Sequence, residues 1–77
     1  MKELVEYIVR AIASKPDEVR VTEEDEGQGG RLLIRLEVSS DDKGKVIGRQ
    51  GRVAQSIRTV LRVAAIKRGT RAVLEIV

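Results

Sequence analysis

Two glycines three residues apart, Gly48 and Gly51, stand between two runs of helical periodicity, so a turn of four residues must join two helices. A turn that short needs backbone conformations that glycine adopts freely and a residue with a Cβ adopts poorly. The surrounding stretch, Lys43-Gly44-Lys45-Val46-Ile47-Gly48-Arg49-Gln50-Gly51-Arg52, also carries four cations. A turn that serves only its own geometry has no need to gather charges that repel one another. Glycine lets an outside group approach the backbone closely, and the first amides of the following helix present partial positive charge. Together these features suit a phosphate. Turn geometry alone and anion binding are the two readings of the same residues, and the clustered charge separates them.

The rest of the chain supplies a sheet for these helices. Residues 2–14 set Leu4, Val5, Ile8, Ala11 and Ile12 on one helical face, and Pro16 stops the helix. Val19 and Val21 alternate with Arg20 and Thr22 in a first strand running towards the acids Glu23-Glu24-Asp25-Glu26. Gly27-Gln28-Gly29-Gly30 reads as a turn, after which Leu32, Ile34, Leu36 and Val38 alternate with Arg31, Leu33, Arg35 and Glu37. These two strands should pair as an antiparallel hairpin. Ser39-Ser40-Asp41-Asp42 offers N-cap chemistry for a short helix over 42–47, with Val46 and Ile47 turned inward. A long helix over about 51–68 carries the stripe Val53, Ile57, Val60, Leu61 and Ala64, flanked by Ala54 and Ala65 and then by Gln55, Arg58 and Arg62. Gly69 ends it, and residues 71–77 form a last strand with Ala72, Leu74 and Ile76 inward. The expected architecture is α+β, in the order helix-strand-strand-helix-helix-strand, with three helices covering one face of a three-stranded sheet.

Composition narrows the chemistry. The chain has no Cys and no His, which removes thiolate sites, the commonest metal ligand and the commonest general base, so no enzyme and no cofactor are expected. Asp41 and Asp42 read as helix caps rather than metal ligands. The net charge of +3 conceals a division: residues 1–42 hold six Lys or Arg against eleven Asp or Glu, whereas residues 43–77 hold nine against one. That asymmetry points to a polyanionic partner. Lys2, Glu3, Glu6 and Arg10 leave no apolar core for a signal peptide, and no uncharged run approaches membrane-spanning length, so a cytoplasmic protein is expected with neither membrane nor small-molecule substrate as partner. Seventy-seven residues make one small domain, burying only about 60% of its unfolded surface.

Val46-Ile47-Gly48-Arg49-Gln50-Gly51 resembles the V-I-G-x-x-G mark of the KH domain, a module that binds RNA and single-stranded DNA. The resemblance extends over residues 1–77: length and element order are similar to the small single-domain bacterial KH proteins of the KhpA type, with the type II arrangement of the fold. It implies a GXXG loop clamping the backbone of about four nucleotides, with bases in an adjoining groove. With the motif residues and the cations around them, the candidate RNA-binding residues are Lys43, Lys45, Ile47, Gly48, Arg49, Gln50, Gly51, Arg52 and Arg58, with Val46, Ile47 and Ala54 as candidate groove floor. Many KH domains carry a large aliphatic residue where this chain has Ala54. Other phosphate loops fit poorly, since neither the Lys and hydroxyl of a Walker A loop nor a glycine two before Gly48 is present. RRM and OB modules need aromatic platforms, and the one aromatic residue, Tyr7, reads as core edge on the first helix.

The resulting expectation is a non-catalytic protein binding short single-stranded RNA, or single-stranded DNA, as a post-transcriptional regulator or RNA chaperone. The other expectation is an interaction subunit whose partner carries most of the RNA binding. Val63 and Ile66, with Ser56 and Thr59, lie off the main stripe of the long helix and suggest a contact surface, with Leu33, Val73 and Val77 on the outer sheet face as a competing patch. The resemblance offers a homodimer, or a heterodimer with a second KH-bearing protein of the KhpB (Jag-like) type.

Overall fold

A computed structural model describes residues 1–25 and 30–77, so three of the four residues of the 27–30 turn, and Glu26 of the acidic run, lie outside the described residues. The elements are α1 (Lys2–Ile12), β1 (Arg20–Asp25), β2 (Arg31–Glu37), α2 (Ser40–Ile47), α3 (Arg52–Lys67) and β3 (Arg71–Ile76), with single 3-10 turns at Pro16–Glu18 and Arg49–Gly51. This is the α+β order read from the sequence. The sheet runs β1-β2-β3: β1 and β2 are antiparallel with Val21 opposite Leu36, whereas β2 and β3 are parallel with Ile34 beside Leu74. A parallel neighbour requires a crossover, and α2, the glycine turn and α3 provide it.

Period-two alternation sends Ile34 and Leu36 fully inward, with Leu32 and Val38 packed at the core margin and Leu74 buried from β3. On the outer face Arg35 pairs with Glu24 at 3.2 Å and with Glu75 at 3.7 Å, linking all three strands through exposed charges that contribute little stability.

Three helical faces differ from expectation, each for a geometric reason. In α1 the buried row is Met1, Val5 and Val9, with Ala13 partly covered, while Ala11 and Ile12 are exposed. That row is an i±4 ridge, which runs inclined to the helix axis and so selects these four positions rather than the i, i+3, i+4 set. Tyr7, two residues from both Val5 and Val9, points the opposite way and is 79% exposed rather than at the core edge. In α3 the buried residues are Ala54, Ile57, Leu61 and Ala65; Val53 and Ala64 are half-buried and Val60 is exposed. The small alanines sit at the contact itself, which lets the helix approach its neighbours closely. In α2, Val46 is buried but Ile47 is exposed, because successive helical residues lie about 100° apart and cannot both face the core.

Val46 shares the inward face of α2 with Asp42, one turn earlier and fully buried. Ser39 starts this helix two residues before the expected position, its hydroxyl accepting from the Asp42 amide at 3.2 Å. The Asp42 carboxylate in turn accepts from the Ser14 amide at 2.8 Å, the Lys15 amide at 2.9 Å and the Ser39 hydroxyl at 3.1 Å. It therefore ties α2 to the segment after α1, and among the described residues no buried side-chain nitrogen or oxygen is left without a partner. The Ser14 amide above all, then that of Lys15 and the Ser39 hydroxyl, hold the carboxyl below its ordinary value against the opposing effect of burial.

A carboxyl depressed in the fold contributes stability that is present at neutral pH and lost as the pH falls below about 4 towards the folded-state value. Asp42→Asn places an NH2 group against backbone donors and removes the charge. The thermal midpoint of the variant should fall well below that of the parent at pH 7, and the gap should narrow at pH 3. Parallel acid limbs for the two proteins would contradict this assignment.

Candidate nucleic-acid interface

The turn between α2 and α3 is built from three left-handed residues. Gly48 lies at φ 77 and ψ 175, Gln50 at φ 58 and ψ 26, and Gly51 at φ 75 and ψ 13. The Gly48 amide closes α2 on the Gly44 carbonyl at 2.8 Å, and the Gly51 amide returns to the Gly48 carbonyl at 3.2 Å. The two glycines are needed for different reasons. A Cβ on Gly48 would fall 2.4 Å from Val53 Cγ2 and 2.9 Å from the Val53 amide nitrogen, so the first turn of α3 is packed directly on it. A Cβ on Gly51 would meet nothing within 4 Å. Gly51 is open to solvent on the side where its missing side chain would stand, and, being the N-cap of α3, it offers no side chain to the amides behind it.

Arg49, Gln50 and Arg52 are exposed around this opening, as is Lys43 on α2. Ile47 presents an apolar surface beside the turn, 37% exposed. Lys45 is differently placed: its ammonium donates to the Ser14 hydroxyl and stands 4.0 Å from an Asp42 oxygen, so it is engaged with the anchor of α2. Val46 and Ala54 are core and provide no groove floor.

A groove does exist, along the seam between α3 and β3. Arg58, Leu61 and Arg62 form one wall and Ala72, Val73 and Leu74 the other, around about 200 Å³. A cavity of about 380 Å³ continues it past Ala65 and Ile66 to Thr70. Arg71 donates its amide to Gly30 and Val77 donates its amide to Leu36, so the odd-numbered residues of β3 face β2. By the alternation of a strand, the backbone groups of Ala72, Leu74 and Ile76 then face the free edge. Arg58, half-buried, is thus in the groove wall with Arg62. The β3 wall is absent from the sequence-derived residues because the parallel β2–β3 pairing brings together segments about 40 positions apart. The basic flank Arg58–Arg62 on α3 is the one local signal that marks it.

Among the described residues no group of three His, Cys, Asp or Glu is placed to hold a metal ion, and no helix is long and apolar enough to cross a membrane. The family model described as KhpA/KhpB, KH domain, matches residues 2–76. The chain belongs to the KhpA/KhpB KH-domain family. KhpA relatives align with it over most or all of their length. It is 49% identical over 77 residues to a protein named RNA-binding protein KhpA in Halalkalibacterium halodurans, covering the whole chain and 99% of that relative. The protein of the same name in Clostridium perfringens is 47% identical over the full length of both chains. The one in Bacillus subtilis is 37% identical over 76 residues, 99% of this chain and 91% of that relative. No solved structure matches the chain at a significant level. The α-β-β-α-α-β order and mixed sheet agree with the type II KH arrangement of this family.

Proposed function

We propose that the chain is a non-catalytic RNA-binding module that grips a short single-stranded segment at the turn between α2 and α3. The observation that carries this is the open side of Gly51, where a phosphate can reach the backbone among Arg49, Gln50 and Arg52. Lys43 adds charge from α2, and Ile47 lies against the first base. The following bases enter the α3–β3 groove, where the free backbone edge of Ala72 and Leu74 supplies donors and acceptors and Arg58 and Arg62 balance the strand's charge. The names of the KhpA relatives support RNA as the nucleic acid. A module of this size fits a post-transcriptional regulator or RNA chaperone working in the cytoplasm.

Neutralising about three phosphates on a single strand predicts that log affinity falls against log salt with a slope near −2. Anisotropy titrations of single-stranded RNA between low and physiological salt test this, with a duplex of the same sequence as control. A slope near zero, or equal affinity for the duplex, would reject the proposed mode.

A second reading is favoured by the exposed row Val60, Val63 and Ile66 on α3, which are 45%, 49% and 67% exposed. In that reading the chain pairs with its own copy or with a KhpB (Jag-like) protein, and the partner carries most of the RNA contact. Sedimentation and partner pull-down with the parent and Ile66→Asp decide it: a mass that halves, or a partner that is lost, in the variant supports the pairing face, and both unchanged reject it.

A further inference from the structure

Of the 15 lysines and arginines every one is exposed except Arg58, which is half-buried. It stands on the flank of α3 that faces β3, where Leu61, Ala72 and Leu74 line the groove of about 200 Å³ with it. Among the described residues no ion pair or hydrogen bond occupies its guanidinium, whereas Arg10 is held by Glu6, and Arg35 by Glu24 and Glu75. α3 carries no acidic residue, and Glu75, the one acid after residue 42, is engaged by Arg35 on the outer face of the sheet. Taking a guanidinium partly out of water without an acceptor costs free energy, and a lysine stem would cover the same apolar seam. A planar fork of five donors set in a groove is therefore a recognition group whose acceptors come from outside the chain.

We propose that Arg58 selects a guanine in the α3–β3 groove by donating to its O6 and N7. The inference rests on the RNA-binding reading above and deepens it, from a groove that admits bases to one that distinguishes them. The wall decides that the acceptor is a base and not a phosphate. Leu61, Ala72 and Leu74 would leave a phosphate's full charge poorly solvated, whereas a base lays its flat faces on such surfaces at little cost. Arg62, one helical turn further on and exposed, remains for the phosphates. The choice of base follows from the fork, which donates and cannot accept. Guanine alone shows two acceptors side by side on one edge; adenine sets an amino group beside N7, cytosine shows an amino group, and uracil offers a single oxygen. The free carbonyls of Ala72 and Leu74 on the strand edge are left to accept from guanine N1–H and its amino group.

The test uses the full chain and an oligouridine of about eight nucleotides carrying one central guanine, adenine or 7-deazaguanine. In anisotropy titrations at low salt the guanine strand should bind at least about tenfold tighter than the adenine strand, within the range of one bidentate base contact. Removing N7 should weaken binding at least about fivefold, because a charge-assisted hydrogen bond is lost while O6 and the strand charge are unchanged. Arg58→Lys keeps the charge and the stem but not the fork, so its preference for guanine over adenine should fall below about twofold, with circular dichroism to establish that it is folded. No preference for guanine, a preference that 7-deazaguanine retains in full, or one that survives in folded Arg58→Lys would overturn the inference. The 7-deazaguanine comparison needs no variant and decides it alone if Arg58→Lys does not fold. Equal binding of all three strands that disappears on Arg49→Asp with Gln50→Asp would overturn it and leave the RNA-binding reading standing. No binding of any strand at low salt would remove that reading as well.

Discussion

Gly48→Ala is expected to lower the stability of the domain by about 3 kcal/mol, with Gly51→Ala costing only about 1 kcal/mol. At φ 77 and ψ 175, Gly48 occupies a region that residues with a Cβ enter at a penalty of about 1–3 kcal/mol. The new Cβ would also stand 2.9 Å from the Val53 amide nitrogen, a backbone atom that cannot yield without displacing the start of α3. Gly51 at φ 75 and ψ 13 carries only the left-handed penalty, because the space beside it is empty. For a domain of this size the Gly48 loss corresponds to a fall of about 12–24 °C in thermal midpoint, out of a total stability of roughly 4–12 kcal/mol. Thermal and urea unfolding of the two variants would measure the difference. Equal losses at both positions would mean that the packing of α3 onto Gly48 is wrong.

The second large effect is on binding. Replacing Arg49 and Gln50 together by Asp should lower affinity for single-stranded RNA by at least about 100-fold at low salt, since bringing like charges together costs several kcal/mol. Stability should change by less than about 0.5 kcal/mol, as for other exposed positions. Both side chains are exposed, and Gln50 at φ 58 holds a left-handed conformation that Asp adopts more readily than most residues. The measurement is anisotropy on the double variant, with circular dichroism to establish that it is folded. Affinity retained in a folded double variant would move the phosphate contact away from the turn and into the α3–β3 groove.

These two experiments probe features that differed in how far they could be read in advance. The turn itself was legible: two glycines at fixed spacing, cations on both sides and helical runs around them are all local. The unequal roles of the two glycines were not, because only the fold brings Val53 against Gly48. Likewise Asp42 reads as one of several capping residues, yet it is the buried acceptor for two amides some 28 positions away. Lys45 reads as one more cation of the cluster, and tertiary contact turns it towards Ser14.

Packing faces were half legible. The alternation of Leu32, Ile34 and Leu36 has one solution, since a strand has only two faces. The α3 stripe has several solutions within some 40° of rotation. Valine at position 60 carries a stronger apolar signal than alanine at 54 or 65, so the pattern leans towards the wrong edge. Close approach to the sheet favours the smaller residues.

Taken by itself, the order of residues determined the elements, the antiparallel hairpin, the glycine turn and the gathering of positive charge after residue 42. Each of these follows from interactions within a few positions along the chain or from simple alternation. The parallel seating of β3 beside β2 and the groove that β3 makes with α3 were decided only in three dimensions. Loop closure brings together residues about 40 positions apart, and no short-range pattern records which side chains then face one another.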